Sequence, residues 1–465
     1  MVEAGMPKAE AAYIFKMNSK VKAVVETPVG RTEPFELAEI VRQGTVCAVD
    51  LCGVSTDKIN RLKDDEEPLI VSGTEIKHPV YVDDMIGLGT ASMIEKMEPK
   101  MRYLEESKKY VFNNEKGKTE IMQVKLNNRK KDQVQKPVVE VKKGEIGYTD
   151  SYKCLGDQYD QTGRNLSKIK KKMSKANFIA AEVKRQGRYE NVGSADTSVR
   201  TFLLDTVVAQ TLLFNTKTWV NMTKEEKKAV DKEHYMILRK IFEQKQNTPY
   251  AGILLETGLW PYSIVIVYLR LMYFHNLMHS DEKRTTKKMI LNQMAGEGKG
   301  KSWYSEGVEP WIVKLDLKDL EENIGDVKKS EWKRKVKEGL RSCVEKELMN
   351  KKEDMTKLRF TQSFEKQSYI KDCPMAKVKK IMKLKLNMVD LKANFKGKYR
   401  DVLCPACGVE EETTEHVLTC EEYKKLTGHT LKKPSNWMEK MNDTEWLLEA
   451  CEVYEQIEEV RSWLV

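Results

Sequence analysis

The sequence has no leading apolar segment: Met1 to Lys20 carries no signal-peptide pattern. Without one, the nine cysteines do not read as a secreted disulfide framework. They read as thiols of a reducing compartment, where closely spaced pairs are metal-ligand candidates. Long apolar runs are missing too. The most apolar stretch, Ser263 to His279, is broken by Arg270 and falls short of the about 20 uninterrupted residues that a spanning helix needs. It predicts a buried helix and no membrane partner. No internal repeat is visible, which leaves no solenoid pattern. Disorder is excluded by composition, since 40% apolar and 33% charged residues describe an ordered, soluble chain. The expectation is an intracellular protein, nuclear or cytoplasmic, whose 465 residues suffice for a sizeable core.

Charge informs through its distribution. The formal net charge of +10, from 81 Lys+Arg against 71 Asp+Glu, is moderate for this length. Two segments concentrate it: Asn165 to Arg188 holds eight Lys/Arg against one Glu, and Lys371 to Arg400 holds ten against two Asp. The tail from Met438 to Val465 reverses the sign, with eight acidic residues against two basic.

The pattern predicts an α+β fold. The runs VKAVVETPVG, PVYVDDMIGLG and KPVVEVKKGEI are β-rich and bounded by Gly, Pro or Asp. From Asn165 onward apolar positions recur at helical spacing, as in Phe202 to Phe214 and Tyr262 to Leu277. The expected organisation is an α+β part over 1–160, a helical region over 161–300, and a basic helical connector over 301–400. A cysteine-histidine module over 401–425 and an acidic C-terminal helix over 426–465 follow, and Gly296 to Trp303 is the best linker candidate.

Tyr81-Val82-Asp83-Asp84 lies between apolar residues, PVYV before and MIGLG after, which puts both carboxylates at the tip of a strand, turn and strand. Carboxylates held rigidly side by side can bind Mg²⁺, which lowers the pKa of an attacking hydroxyl and neutralises a leaving pyrophosphate. Taken alone, Asp-Asp also reads as plain turn chemistry. Three further segments stand around it in order. Upstream, VVETPVGRTEPFELAEIVRQG ends on Arg42, Gln43 and Gly44; downstream, KKYVFNNEKGKTEIM carries Lys118 and Thr119, and YKCLGDQYDQTG carries Tyr152, Leu155 and Gly156.

In this order the segments resemble the polymerase motifs of reverse transcriptases from non-LTR (LINE-type) retrotransposons, and the resemblance covers most of the chain. It implies part of a polymerase palm followed by a helical thumb, and RNA-directed DNA polymerase chemistry with Mg²⁺ on Asp83 and Asp84. Tyr81 and Arg42 to Gly44 would meet template and incoming nucleotide. Lys118 would contact phosphate or protonate pyrophosphate. Tyr152, Leu155 and Gly156 would form the hairpin that holds the primer 3′ end, with RNA and RNA/DNA template–primer as partners.

The family's metal site also needs a third aspartate. MVEAGMPKAEAAYIFKMNSKVKAVV resembles the latter part of the helix that follows it, and the strand after, so that aspartate is expected shortly before Met1. Glu3 and Glu10 are the acids of this opening stretch, and on a surface helix they read as solvated charge. The expectation is a reverse-transcriptase fragment with little or no polymerase activity, or a remnant that binds nucleic acid without catalysis.

Lys168, Lys171, Lys172 and Lys175 recur at helical spacing where the thumb would begin, and predict a phosphate-facing stripe, the bland alternative being a solvated helix face. Phe202, Val207, Leu213 and Phe214 read as core, as do Trp260, Tyr262 and Tyr268 beside Pro261, and His275 and His279 read as structural. Cys404, Cys407, His416 and Cys420 give C-x2-C-x8-H-x3-C, a set suited to tetrahedral, structural Zn²⁺. A redox CxxC and unrelated surface cysteines are the competing readings. A similar cluster follows the polymerase in related retrotransposon proteins, and with Lys371 to Arg400 before it this one would form a second nucleic-acid contact. Trp446, Ala450, Val453, Ile457, Val460 and Leu464 mark an amphipathic helix that docks back on the chain or pairs with a second copy. Cys47, Cys52, Cys154, Cys343, Cys373 and Cys451 read as packing residues.

Overall fold

The computed structural model describes residues 2, 5–19, 21–37, 69–76, 80–81, 84–108, 110–124, 136–189, 197–219, 222–296 and 301–464. The chain divides into two compact units, Met1–Gly163 with Glu282–Lys299, and Arg164–Asp281 with Gly300–Val465. The fold is α+β, with the strands in the first unit and helices dominating the second.

The β-rich runs of the first unit do form strands, but short ones. Val21–Ala23 pairs with Phe35–Leu37, Glu140–Val141 with Gly144–Glu145, and Ser151–Cys154 with Asp157–Asp160, all antiparallel. Glu120–Ile121 runs parallel to Gly147–Tyr148. Among the described residues every sheet has two strands, because the Gly, Pro and Asp that bound each run cut it off before a wider ladder can form. Two helices, α1 (Lys8–Asn18) and α2 (Ala91–Lys108), join them. The unit's core gathers Met101 of α2 with Val139, Val141 and Ile146. Arg102 reinforces that contact by bonding Glu140 at 2.9 Å.

The second unit is built on α3 (Leu166–Tyr189), α4 (Lys224–Ile241), α5 (Tyr250–Thr257), α6 (Tyr262–Met278), α7 (Lys329–Glu353) and α8 (Met375–Lys385). Local sequence starts α4 cleanly: Thr223 caps it, and its hydroxyl and the Glu226 carboxylate exchange bonds with each other's backbone N–H. Val230, Ile237, Leu238 and Ile241 then fall on one buried face. The apolar α6 is buried as expected, and Arg270 within it donates from its two terminal nitrogens to the Gly307 and Trp219 carbonyls. Burial lowers that guanidinium to about 10. No single helix among the described residues is long and apolar enough to cross a membrane, and α5 and α6 meet at a 53° bend.

One reading of the helical pattern needs correction. Phe202, Val207 and Phe214 are exposed, and only Leu213 of that stripe lies in the core. Leu204, Val208, Ala209 and Leu212 face inward instead, across a π-helical turn at Leu204–Val208 that shifts the register of the helix behind it. Trp260 and Tyr268 do pack edge to face at 5.9 Å, and His275 and His279 stack while bonding the Val327 and His275 carbonyls.

Beyond α8 the chain forms α9 (Thr414–Thr419), α10 (Glu421–Thr427) and α11 (Thr444–Leu464). Helix α11 is the amphipathic helix expected at the C-terminus. Its Ala450, Val453 and Ile457 are buried, in contact with α8, α9 and α10. The face offered for self-association is thus occupied inside the unit, leaving Trp463 and Leu464 exposed at its end. One hydrophobic cluster runs from Ile169 to Ile457 and takes in residues from every segment expected beyond 160. Cys373 and Cys451 are buried in it, while Cys154 and Cys343 are half-buried, and Cys47 and Cys52 lie outside the described residues.

His234 of α4 is fully enclosed, stacked on Tyr262 at 3.7 Å and hydrogen-bonded to the Tyr250 hydroxyl at 2.8 Å. Burial lowers its pKa from 6.5 to about 3. The unfolded chain therefore binds a proton below pH 6.5 that the folded chain refuses until about pH 3, so stability falls as pH drops through that window. His234→Gln removes the charge, and urea titrations should show an acid-dependent loss smaller by about 3–5 kcal/mol than in the unmodified chain.

Candidate functional site

The cysteine-histidine spacing folds into a compact knuckle. The Cys404 N–H donates to the Glu410 carbonyl and the Gly408 N–H to the Cys404 carbonyl, both at 2.8 Å, closing the loop that carries the first two thiols. Gly408 sits at φ +65°, a left-handed conformation that costs glycine little. Thr413 caps α9 by accepting from the His416 N–H at 3.1 Å, which places the imidazole in the first turn, and Cys420 caps α10.

These elements bring one ligand atom from each of Cys404, Cys407, His416 and Cys420 within 4.8 Å of one another. A zinc tetrahedron with bonds of about 2.3 Å has edges of about 3.8 Å, so the four atoms suit it and could hold a metal ion such as Zn²⁺. Cys407 Sγ lies 3.4 Å from His416 Nε2, and His416 Nδ1 bonds Glu410 Oε2 at 3.1 Å. Glu410 therefore fixes the ring with Nε2 toward the thiols, as carboxylates do behind metal-bound histidines.

Backbone donors complete the electrostatics. Burial pushes the Cys404 thiol up to about 12 and raises Cys420, against N–H groups of Cys407 and Ala406 on the first and of Tyr423 and Glu422 on the second. Burial also raises Cys407, but the Glu410 and Val409 N–H groups and the two neighbouring thiols outweigh it, and its net pKa is lowered. A cation would complete the shift to thiolates. With four protein ligands the arrangement would leave a bound ion no open position.

Glu412, within the knuckle, anchors it to the rest of the unit. Its carboxylate is fully buried and accepts both Arg461 Nε and Nη2 of α11, at 2.5 and 2.9 Å, and the Lys392 backbone N–H at 2.7 Å. Neither Glu410 nor Glu412 is identifiable from spacing, since a Glu-Glu-Glu run between ligand pairs reads as solvated loop. The pairing with Arg461 crosses 49 residues.

The aspartate hairpin lies in the first unit. Val80–Tyr81 pairs antiparallel with Asp84–Met85, Tyr81 opposite Asp84, and Asp84 is exposed at the start of the second strand; Val82 between them lies outside the described residues. Asp83, Arg42, Gln43 and Gly44 lie outside the described residues. Tyr152 donates its hydroxyl to the Lys118 carbonyl at 2.6 Å. Burial raises the Tyr152 pKa, and the Asp84 carboxylate is the next contributor, as it is for Cys154. Tyr152 and Lys118 are thus bonded and the Asp84 charge reaches the Tyr152 phenol, though Lys118 takes part through its backbone while its side chain is exposed. Leu155 and Gly156 form the two-residue turn between Ser151–Cys154 and Asp157–Asp160, both at positive φ. A leucine there is strained by about 1 kcal/mol, a conformation usually left to Asn or Gly.

The four lysines of α3 do not form one outward stripe. Lys168 is buried, and Lys172 turns inward to donate to the Phe214 carbonyl and lie over the Trp219 ring, while Lys171 and Lys175 are exposed together with Lys170. The helix buries Ile169, Ala176 and Ala180, and the lysines flanking that apolar face are drawn in with it. In the second basic segment Lys385 is buried against Glu256, and Lys379, Lys392 and Lys398 pair with Glu243, Asp401 and Asp390. Lys371, Lys377 and Arg400 are exposed.

Cys404→Ser combined with Cys407→Ser should release about one zinc per chain and lower the melting temperature, measured by metal analysis and thermal denaturation. Retained zinc in that double variant would contradict the site. Glu412→Gln should cost about 3–5 kcal/mol in chemical denaturation, because Arg461 is left buried without its counter-charge. Compared with known proteins, the chain matches no family model and no curated protein.

Proposed function

We propose that the chain derives from a non-LTR retrotransposon reverse transcriptase and binds RNA and RNA/DNA template–primer without completing the polymerase reaction by itself. The observation that carries the reading is that Tyr152 bonds Lys118 and the Asp84 charge reaches its phenol, across three segments whose order resembles successive polymerase motifs. In this reading the first unit is part of a palm and α3 begins a thumb. Asp83 and Asp84 would hold Mg²⁺, which stabilises charge in phosphoryl transfer. A third carboxylate is needed to complete such a centre, so these two aspartates and the primer hairpin place a duplex without turning it over.

Phosphate contacts come from the exposed Lys170, Lys171 and Lys175 of α3 and from Lys371, Lys377 and Arg400 before the knuckle. The zinc-bound knuckle holds the second group in position. Fluorescence anisotropy with an RNA/DNA hybrid should give a plot of log affinity against log salt with a slope of about −3 or steeper. Replacing Lys171 and Lys175 by alanine should flatten it by about 2. Salt-independent binding, or none, would remove the proposal. Primer extension with Mg²⁺ or Mn²⁺ is expected to yield no product that depends on Asp83, and synthesis abolished by Asp83→Ala would overturn the non-catalytic part alone.

A further inference from the structure

A cavity of about 360 Å³ opens between α8 and α11 in the second unit, beside the helix Thr197–Leu203. One end is strongly basic, with Lys245, Lys379 and Lys383 converging on it. Most of the acids that line the cavity are already engaged. Glu243 accepts from Arg200 and Lys379, both at 3.1 Å, Asp390 from Lys398 and Tyr399, and Glu455 pairs with Lys380. Glu458 of α11 is the remaining lining carboxylate, and among the described residues it has no ion pair. Burial, followed by repulsion from Lys379 and Lys245, holds the Lys383 ammonium below the usual lysine range despite Glu458 and Glu243. Lys379 is paired with Glu243, whereas Lys245 and Lys383 have no ion pair among the described residues, so these two carry the positive charge available to a ligand.

Two donors in the lining are buried without an acceptor. The Tyr454 hydroxyl and Arg200 Nε have no hydrogen-bond partner, although these residues are only 7% and 3% exposed. Leaving such groups unsatisfied costs about 1–3 kcal/mol each. Burial, and next the Glu458 carboxylate, keep the Tyr454 phenol protonated, so it can only be filled by an acceptor or remain a donor in waiting. The lining also includes the apolar side chains of Met375, Leu384, Met388 and Val389. Positive charge, orphan donors and thioether-bearing apolar side chains in one lining are the parts that recognise an anion carrying an apolar or aromatic body.

We propose that this cavity binds a phosphate-bearing ligand of nucleotide size. Glu458 repels the phosphate from the α11 side, so the phosphate belongs among Lys245, Lys379 and Lys383. The organic part lies against Met375, Leu384 and Met388, with the Tyr454 hydroxyl donating to it. The chemistry fits either a free nucleotide or the phosphorylated end of a nucleic-acid strand, and it does not depend on the polymerase resemblance.

The test is calorimetric titration of the full chain with ADP, with inorganic pyrophosphate, and with a short RNA bearing either a 5′-phosphate or a 5′-hydroxyl. Binding of ADP would identify a nucleotide site, and binding confined to the 5′-phosphorylated RNA would identify a strand end. In either case Lys383→Met should weaken binding about tenfold, and Tyr454→Phe about threefold, with melting temperatures unchanged. No heat from any probe would overturn the proposal, as would binding that is the same in Tyr454→Phe and Lys383→Met as in the unmodified chain. Salt-dependent binding of the RNA/DNA hybrid together with no heat from these four probes would leave the polymerase-derived reading intact while removing this site.

Discussion

The second unit depends on a single carboxylate. Glu412 is buried in the knuckle, where it takes a bidentate contact from Arg461 and a backbone N–H from Lys392. Burial alone would lower the Arg461 pKa, but the bonds from Glu412 and Tyr399 raise it overall, so the pair stays charged. Such a pair stabilises only when its geometry and remaining lone pairs are satisfied, and here the Lys392 N–H supplies the third bond. The consequence is that a 465-residue chain has its basic connector, cysteine-histidine loop and last helix clamped at one point. The apolar contacts of Ala450, Val453 and Ile457 with α8 to α10 follow from that alignment.

A comparable network lies deeper. Lys385 is completely buried and bonds Glu256 at 2.9 Å and Asn442 at 2.8 Å, while Tyr369 donates to the same glutamate at 2.9 Å. Lys385 looks, along the chain, like a candidate for nucleic-acid contact, and Lys392 of the same basic segment gives Glu412 its backbone N–H. Helix α8 buries Val378, Ile381 and Met382, so a lysine on that face must bring its charge inward and find a carboxylate there. The outward charge of this segment is thus smaller than its ten Lys and Arg suggest, and it is concentrated at a few positions and at one cavity.

The first unit is organised differently. Its strands are too short to enclose much apolar surface, and the small cluster around Met101 is correspondingly modest. What draws its motif residues together is polar: a tyrosine hydroxyl on a backbone carbonyl, next to an aspartate at the start of a strand. The strained Leu155 in the turn below Tyr152 is compatible with a hairpin shaped by what it must approach rather than by turn preference alone.

Much was legible from sequence by itself. The α+β fold, the buried α6 and the amphipathic α11 all follow from local periodicity and turn chemistry, which act over a few residues. The four-ligand cluster followed as well, because the metal's preferred donors fix a recognisable spacing. Tertiary structure alone decided which lysines face outward, that Phe202 and Phe214 would lie at the surface, and that Glu410 would orient His416. It also decided that Glu412 would meet Arg461. Each of these depends on where one element's face lands against another distant in the chain, and no short-range pattern carries that information.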